Sequence, residues 1–290
     1  MLTRTKTHTR KKYREEHIDN DSDEEEGEEE IDQDGNRVIY LQRAQIRKIQ
    51  RDSFIAVLGK RRMGKTTLME NLGEALQFPR AVALCGSTGS MEQFKKFIPA
   101  SYVHKASVEV LQHILREREK QINENPERAS ELETLLYIDD MAFDRNFMFS
   151  KVMKELAQNG RWLRFCVVIS IQYVMDMSTA LRTNIDYLFV TREHSRTNRR
   201  KLFENWGGCC STLVQFEQFL EACTQNFGCL VIDGTSPTTK FEKCFYHYRA
   251  NPSLPPWLLG DDEFKKYHLH RTQVPRHSRL SNDLAMLKVC

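Results

Sequence analysis

The sequence contains no stretch approaching the roughly 18 consecutive apolar residues that a helix needs to cross a bilayer, and no short apolar core near its start of the kind a secretory leader carries. Neither membrane spanning nor secretion is expected, and a soluble intracellular protein is. No Cys-x-x-Cys pair occurs among the eight cysteines, so the common zinc and dithiol patterns are missing. The loose group Cys209, Cys210, Cys223 and Cys229 combines adjacent cysteines with uneven gaps, a poor match to metal-ligand spacing. These are read as buried thiols kept reduced, with no disulfide framework. Asn-Lys-x-Asp, which would select guanine, is also absent, as are zinc-finger and helix-turn-helix signatures for reading DNA bases.

The net charge is small, +3 over 290 residues, but it conceals opposed blocks. Met1–Arg14 carries six Lys/Arg and no acid, while Glu15–Asp34 carries thirteen Asp/Glu and no Lys/Arg, which leaves the remainder from Gly35 at +10. The first 35 residues are too polar and too self-repelling to offset the entropy of ordering, so a disordered charged tail is expected there. The basic body would attract a polyanion without specifying which.

From Ser53 onward, short apolar runs alternate with longer stretches of helical period. Strands are predicted at 54–58, 81–85, 135–138, 165–171, 185–190 and 227–232, with 246–248 as a closing edge strand. Helices are predicted at 66–77, 91–97, 107–122, 145–158 and 197–206. Strands apolar on both faces require helices on both sides, so the expected fold is α/β, with a mostly parallel central sheet flanked by helices. One domain over residues 36–250 is expected, followed by a C-terminal extension over 251–290.

Within this frame, Gly59-Lys60-Arg61-Arg62-Met63-Gly64-Lys65-Thr66 matches the P-loop pattern at every required position, between a strand and a helix. The glycines let successive backbone N–H groups turn toward one anion at the helix N-terminus. Lys65 is then expected between the β- and γ-phosphates, Thr66 on Mg2+, and Thr67 beside the α-phosphate. The strand Thr134–Ile138 ends in Asp139 and Asp140, at the edge where ligands collect in open α/β sheets. Asp139 is the expected Mg2+ ligand through water, and Asp140 the carboxylate able to polarise an attacking water. The 74 positions from Lys65 to Asp139 leave room for an additional strand and helix between the two motifs, pointing to the additional-strand class of P-loop ATPases, with ATP as nucleotide.

Three further groups are open to two readings. Gln172 ends the strand 165–171, either as a sensor of the γ-phosphate or as a polar strand end. Arg161 and Arg164 flank the start of that strand, better placed to reach a neighbouring subunit's nucleotide than their own, or simply solvated. Arg192, Arg196, Arg199, Arg200 and Lys201 would grip DNA phosphates or form a solvated helix face.

Together with Cys85-Gly-Ser-Thr88, Ile98-Pro-Ala-Ser-Tyr-Val-His104 and Asn159-Gly-Arg-Trp162 leading into Val168-Ile-Ser-Ile-Gln-Tyr173, these motifs give a chain that resembles the poxvirus-type genome-packaging ATPases of nucleocytoplasmic large DNA viruses, in the FtsK/HerA superfamily. The likeness runs from about Ser53 to Tyr248. It implies a RecA-like core, a homo-oligomeric ring, and ATP hydrolysis coupled to movement of double-stranded DNA into a capsid. Capsid or portal-like viral proteins would be docking partners, at a viral assembly site in the host cytoplasm. The resemblance makes Gln172 a sensor and Arg161 the leading candidate for an arginine acting between subunits. Many superfamily members carry Glu where this chain has Asp140, one methylene shorter. That departure and the acidic tail motivate the competing reading, a nucleotide-switched interaction module that does not pump DNA.

Overall fold

A computed structural model describes residues 41–266. The charged tail expected over residues 1–35, and the part of the expected extension beyond residue 266, lie outside the described residues. In chain order the elements are β1 (Phe54–Leu58), α1 (Lys65–Leu76), β2 (Arg80–Cys85), α2 (Thr88–Phe94), β3 (Val103–Lys105), α3 (Val108–Glu124), β4 (Thr134–Asp139) and α4 (Arg145–Met148). There follow α5 (Lys151–Asn159), β5 (Phe165–Ile171), α6 (Thr179–Arg182), β6 (Tyr187–Val190), α7 (Arg196–Trp206), α8 (Leu213–Cys223), β7 (Gly228–Asp233) and β8 (Phe245–Arg249).

All eight strands form one sheet, in the order β3-β2-β4-β5-β1-β6-β7-β8. The first six run parallel, whereas β7 is antiparallel to β6 and β8 is antiparallel to β7. The fold is therefore the expected α/β core with a mostly parallel sheet. β5 pairs with β1 on one side and β4 on the other, so it is the strand inserted between the two motif-bearing strands. β1, β4 and β5 are buried along their whole length, which is why they read as unbroken apolar runs.

The helix predicted over 145–158 is two helices. Ser150 breaks it, because its side chain accepts from the N–H of Met153 at 3.1 Å and caps α5 instead of continuing α4. β3 and α6 escape prediction because three or four residues hold too little pattern. α8 is different, since Thr212 caps it and Phe216, Phe219, Leu220 and Cys223 are buried at helical spacing, a signal present in the sequence.

Past Ala250 the chain stays on the body. Asn71 in α1 donates to the carbonyl of Asn251 (2.9 Å) and accepts from its N–H (2.7 Å). Trp257 stacks on Phe97, and Phe264 stacks on Tyr102. At the opposite end of the strands, Arg118 of α3 is buried with its guanidinium over the Phe165 ring. It donates to the carbonyls of Leu132 and Leu163 (3.1 Å for Leu163) and to the Thr134 hydroxyl (2.9 Å). One side chain thus aligns the starts of β4 and β5, which sets where those strands end at the other edge of the sheet. Arg118→Ala leaves buried carbonyls unpaired and opens a cavity, so a loss of about 3 kcal/mol is expected in urea unfolding; a loss under about 1 kcal/mol would show that water replaces the guanidinium.

Candidate active site

The P-loop connects the C-terminal end of β1 to α1. Arg62 (φ 66°) and Gly64 (φ 80°) are both left-handed, a conformation that suits Gly64 and is uncommon for arginine. Left-handed residues in such a turn allow successive N–H groups to face one anion, as in an anion-binding nest. Gly64 leads into α1 with no side chain capping that helix. Among the described residues each of the other seven α-helices has a side-chain cap, supplied by Ser87, Ser107, Asp144, Ser150, Ser178, Ser195 and Thr212. The first N–H groups of α1 are thus left to an external acceptor, and the helix dipole favours an anion there.

Lys65 folds over the loop and donates to the carbonyls of Gly59 (2.7 Å) and Lys60 (3.0 Å). Burial lowers its pKa below the ordinary lysine value; Asp139 and Asp140 oppose that shift, and Arg61 adds to it. The structure therefore brings Lys65 and both acids of β4 into one electrostatic neighbourhood, as their positions in the sequence predict. Thr66 and Thr67 lie in the first turn of α1 beside them.

Asp139 is buried and accepts from the hydroxyls of Ser90 (2.6 Å) and Ser170. The Ser170 hydroxyl also accepts from the N–H of Asp140 at 3.2 Å, so one serine of β5 holds the Asp139 carboxylate and the Asp140 backbone. Asp140 is left-handed (φ 56°), and its carbonyl comes so close to Gly86 that a Cβ there would lie 2.0 Å from it. Sequence reasoning missed Ser90 and Ser170. A lone hydroxyl inside the apolar run of β5 was the available signal for the second; nothing local marks the first.

Gln172 emerges from β5 next to the P-loop, where the N–H of Gly59 donates to the carbonyl of Ile171 at 3.0 Å. On the other side of β1, the segment after β6 packs on the loop. A Cβ on Gly59 would lie 1.9 Å from the Thr191 hydroxyl oxygen, so glycine is required for that approach. Lys60 pairs at 3.2 Å with Glu193, whose side chain is fully buried. Burial alone would raise the Glu193 pKa, but the N–H of Ser195, the Asn198 amide and Lys60 outweigh it and hold the carboxyl below its ordinary value.

The basic cluster on α7 divides. Arg199 turns inward to the Glu193 carbonyl (2.7 Å) and toward Glu217 (3.8 Å), and Arg200 and Lys201 both pair with Glu204. Arg192, which precedes α7, and Arg196 are exposed, as is Arg200. Arg161 and Arg164 are not brought to the P-loop. They precede β5, at the edge of the sheet opposite the P-loop, where Arg161 pairs with Asp186 while remaining 59% exposed. No helix among the described residues is long and apolar enough to cross a membrane.

The profile of the family described as "Poxvirus A32 protein" matches residues 41–225. A curated relative, uncharacterized protein 088R of Invertebrate iridescent virus 3, is 28% identical over 227 residues, covering 75% of this chain and 84% of its own. The cytoplasmic domain of the Thermomonospora curvata type VII secretion ATPase EccC aligns over 78% of this chain and 29% of its own, with 12% identity and a TM-score of 0.51, a likeness of fold. The genome packaging NTPase B204 of Sulfolobus turreted icosahedral virus 2, solved with ATP-gammaS, aligns over 71% of this chain and 100% of its own, with 12% identity and a TM-score of 0.49.

The lowered pKa of Lys65 gives this cradle a pH signature. A bound triphosphate favours the charged ammonium, so above the pKa of the free site binding must take up a proton. Affinity for inorganic tripolyphosphate, corrected for the ligand's own last ionisation, should fall by up to about tenfold per pH unit, starting below the ordinary lysine pKa. Titration calorimetry across that range checks this, and a flat affinity up to the ordinary lysine value would refute it.

Proposed function

The chain belongs to the poxvirus A32 protein family, the poxvirus-type genome-packaging ATPases of nucleocytoplasmic large DNA viruses, and from that premise we propose that it is an ATP-driven motor moving double-stranded viral DNA into the capsid. The observation that carries the ATPase half is the meeting of Lys65, Asp139 and Asp140 at the uncapped start of α1. In this reading the backbone of Gly59, Lys60, Arg61, Arg62, Met63 and Gly64 cradles the phosphates, Lys65 neutralises the β- and γ-phosphates, and Thr67 holds the α-phosphate. Thr66 and Asp139 hold Mg2+, and the all-oxygen set of a carboxylate flanked by two serine hydroxyls suits that hard cation. The ion, when bound, offsets charge on the phosphate oxygens.

Water attacks the γ-phosphorus, the bond to the β–γ bridging oxygen breaks, and the proton of the water passes to Asp140. The backbone that carries Asp140 is fixed by Ser170 and fits the space that Gly86 leaves. Gln172, emerging beside Gly59, orients the water or donates to the γ-phosphate. Arg161 reaches the nucleotide of the next subunit in a homo-oligomeric ring. Its exposure, its fixing by Asp186 and its place across the sheet from its own P-loop all favour a role in trans over one in cis. Arg192, just before α7, and Arg196, at its start, both exposed, meet DNA phosphates, a contact indifferent to sequence as a pump requires. Capsid or portal-like proteins anchor the ring at the assembly site in the host cytoplasm.

ATP turnover measured with and without long duplex DNA at moderate salt should rise with DNA, and Lys65→Ala should lower turnover by at least about a hundredfold. Intact turnover with no response to DNA would leave a nucleotide switch as the better account.

Arg161→Ala should abolish turnover while sparing nucleotide binding. Mixed with Lys65→Ala subunits it should regain part of the activity, because some interfaces then join an intact P-loop to an intact arginine. No recovery in mixtures that still form rings would remove the between-subunit role.

A further inference from the structure

The site as described holds phosphates and says nothing of the base. Because β7 runs antiparallel to β6, with Val190 opposite Leu230, the start of β7 returns to the sheet edge that carries the P-loop. The residues just before it, Gln225, Asn226 and Phe227, form a single tight turn at that edge.

Two consecutive non-glycine residues of this turn are left-handed, Asn226 at φ 48° and Phe227 at φ 62°. Asparagine tolerates that region, but a bulky aromatic there is an outlier, kept only where the surroundings impose it. The residues on either side of the turn are tightly held. The carbonyl of Cys223 comes so near Gly228 that a Cβ would sit 2.2 Å from it, and Thr224 donates from its hydroxyl to the Leu220 carbonyl at 2.6 Å. The turn is thereby bound closely to the end of α8.

Phe227 gains no burial from this strain. At 74% it is the most exposed of the large apolar side chains among the described residues. Its ring edge lies against the P-loop, with Cδ1 at 3.8 Å from where a Cβ on Gly64 would stand. An exposed aromatic side chain, on a left-handed backbone, borders the loop that receives the phosphates. The amides of Gln225 and Asn226 are exposed next to it, each offering a donor and an acceptor.

We propose that Phe227 is the stacking platform for the purine base of the bound nucleoside triphosphate, with the Asn226 and Gln225 amides hydrogen-bonding the base edge. A purine ring has a π-face that stacks on phenylalanine, and the base covers apolar surface that the protein leaves open. This rests on the phosphate-site reading above, and it deepens that reading by assigning the other end of the same ligand.

Calorimetric titrations of the full chain with Mg-ATP and with magnesium tripolyphosphate, which has the phosphates and no base, separate the two. Phe227→Ala should weaken ATP by about tenfold and leave tripolyphosphate within about twofold. Phe227→Trp should restore ATP binding. Phe227→Gly, which suits a left-handed residue, should raise the melting temperature while showing the same selective loss of ATP affinity. That opposition of stability and affinity would not arise from a merely structural role.

Unchanged ATP affinity in Phe227→Ala overturns the proposal. So does an equal fall for ATP and tripolyphosphate, which would mean that the ring shapes the P-loop and does not touch the base. If the unaltered protein binds tripolyphosphate but gains nothing from the base of ATP, the platform fails while the phosphate site stands; if it binds neither, both fail together.

Discussion

A helix that starts without a cap carries backbone N–H groups with no internal partner, and in this protein that condition belongs to α1, whose first turn meets the left-handed bend at Arg62 and Gly64. The positive end of the helix and the inward N–H groups of the bend act on the same small volume, and their effect on an anion adds. Lys65 lies over the same volume. Its ammonium donates to the carbonyls of Gly59 and Lys60. Two acids lie near enough to favour its charge, yet burial dominates and lowers its pKa. Supplying an anion relieves both the helix and the lysine.

The sheet exists, in functional terms, to bring other groups to that volume. β5 lies between β1 and β4, so Ser170 reaches Asp139 and Asp140 from one neighbour while Ile171 and Gln172 lie against Gly59 at the other. Arg118, at the far end, aligns the starts of β4 and β5 and so contributes to where their ends fall. On the remaining side of β1, Thr191 packs into the space left by Gly59, and Glu193 holds Lys60 while its own carbonyl takes Arg199 of α7. The phosphate loop and the basic helix are therefore joined through a buried carboxylate. A buried charge tolerates loss of a partner badly, so a change in the loop that moves Lys60 is felt at the start of α7. That is a physical link between the P-loop and the start of α7.

Much of this was legible along the chain because the physics involved is local. Six of the eight strands were predictable as apolar runs, β5 to the residue, since a strand buried on both faces must be apolar throughout, and β8 was legible as an edge strand. The P-loop is legible because a strand, a turn that needs glycine, and a helix start follow one another within a few residues. Asp139 and Asp140 announce themselves as carboxylates at the end of an apolar strand. The split between α4 and α5 was not foreseen, although Ser150 is a good cap, because both halves share one apolar period. α8 carried the same kind of signal, a threonine cap and apolar spacing, and was passed over.

Residue types and their spacing alone determined that a phosphate cradle with two acids would stand at one edge of an α/β sheet. The tertiary structure alone decided which hydroxyls hold those acids, that Glu193 ties Lys60 to α7, that Arg161 stands across the sheet bound to Asp186, and that Phe227 returns to the P-loop. Each of these joins residues from 25 to more than 160 positions apart, and such pairs meet only through strand order and the reversal of β7. A local pattern reports the face that a residue presents, whereas what meets that face is set by the packing of the whole sheet.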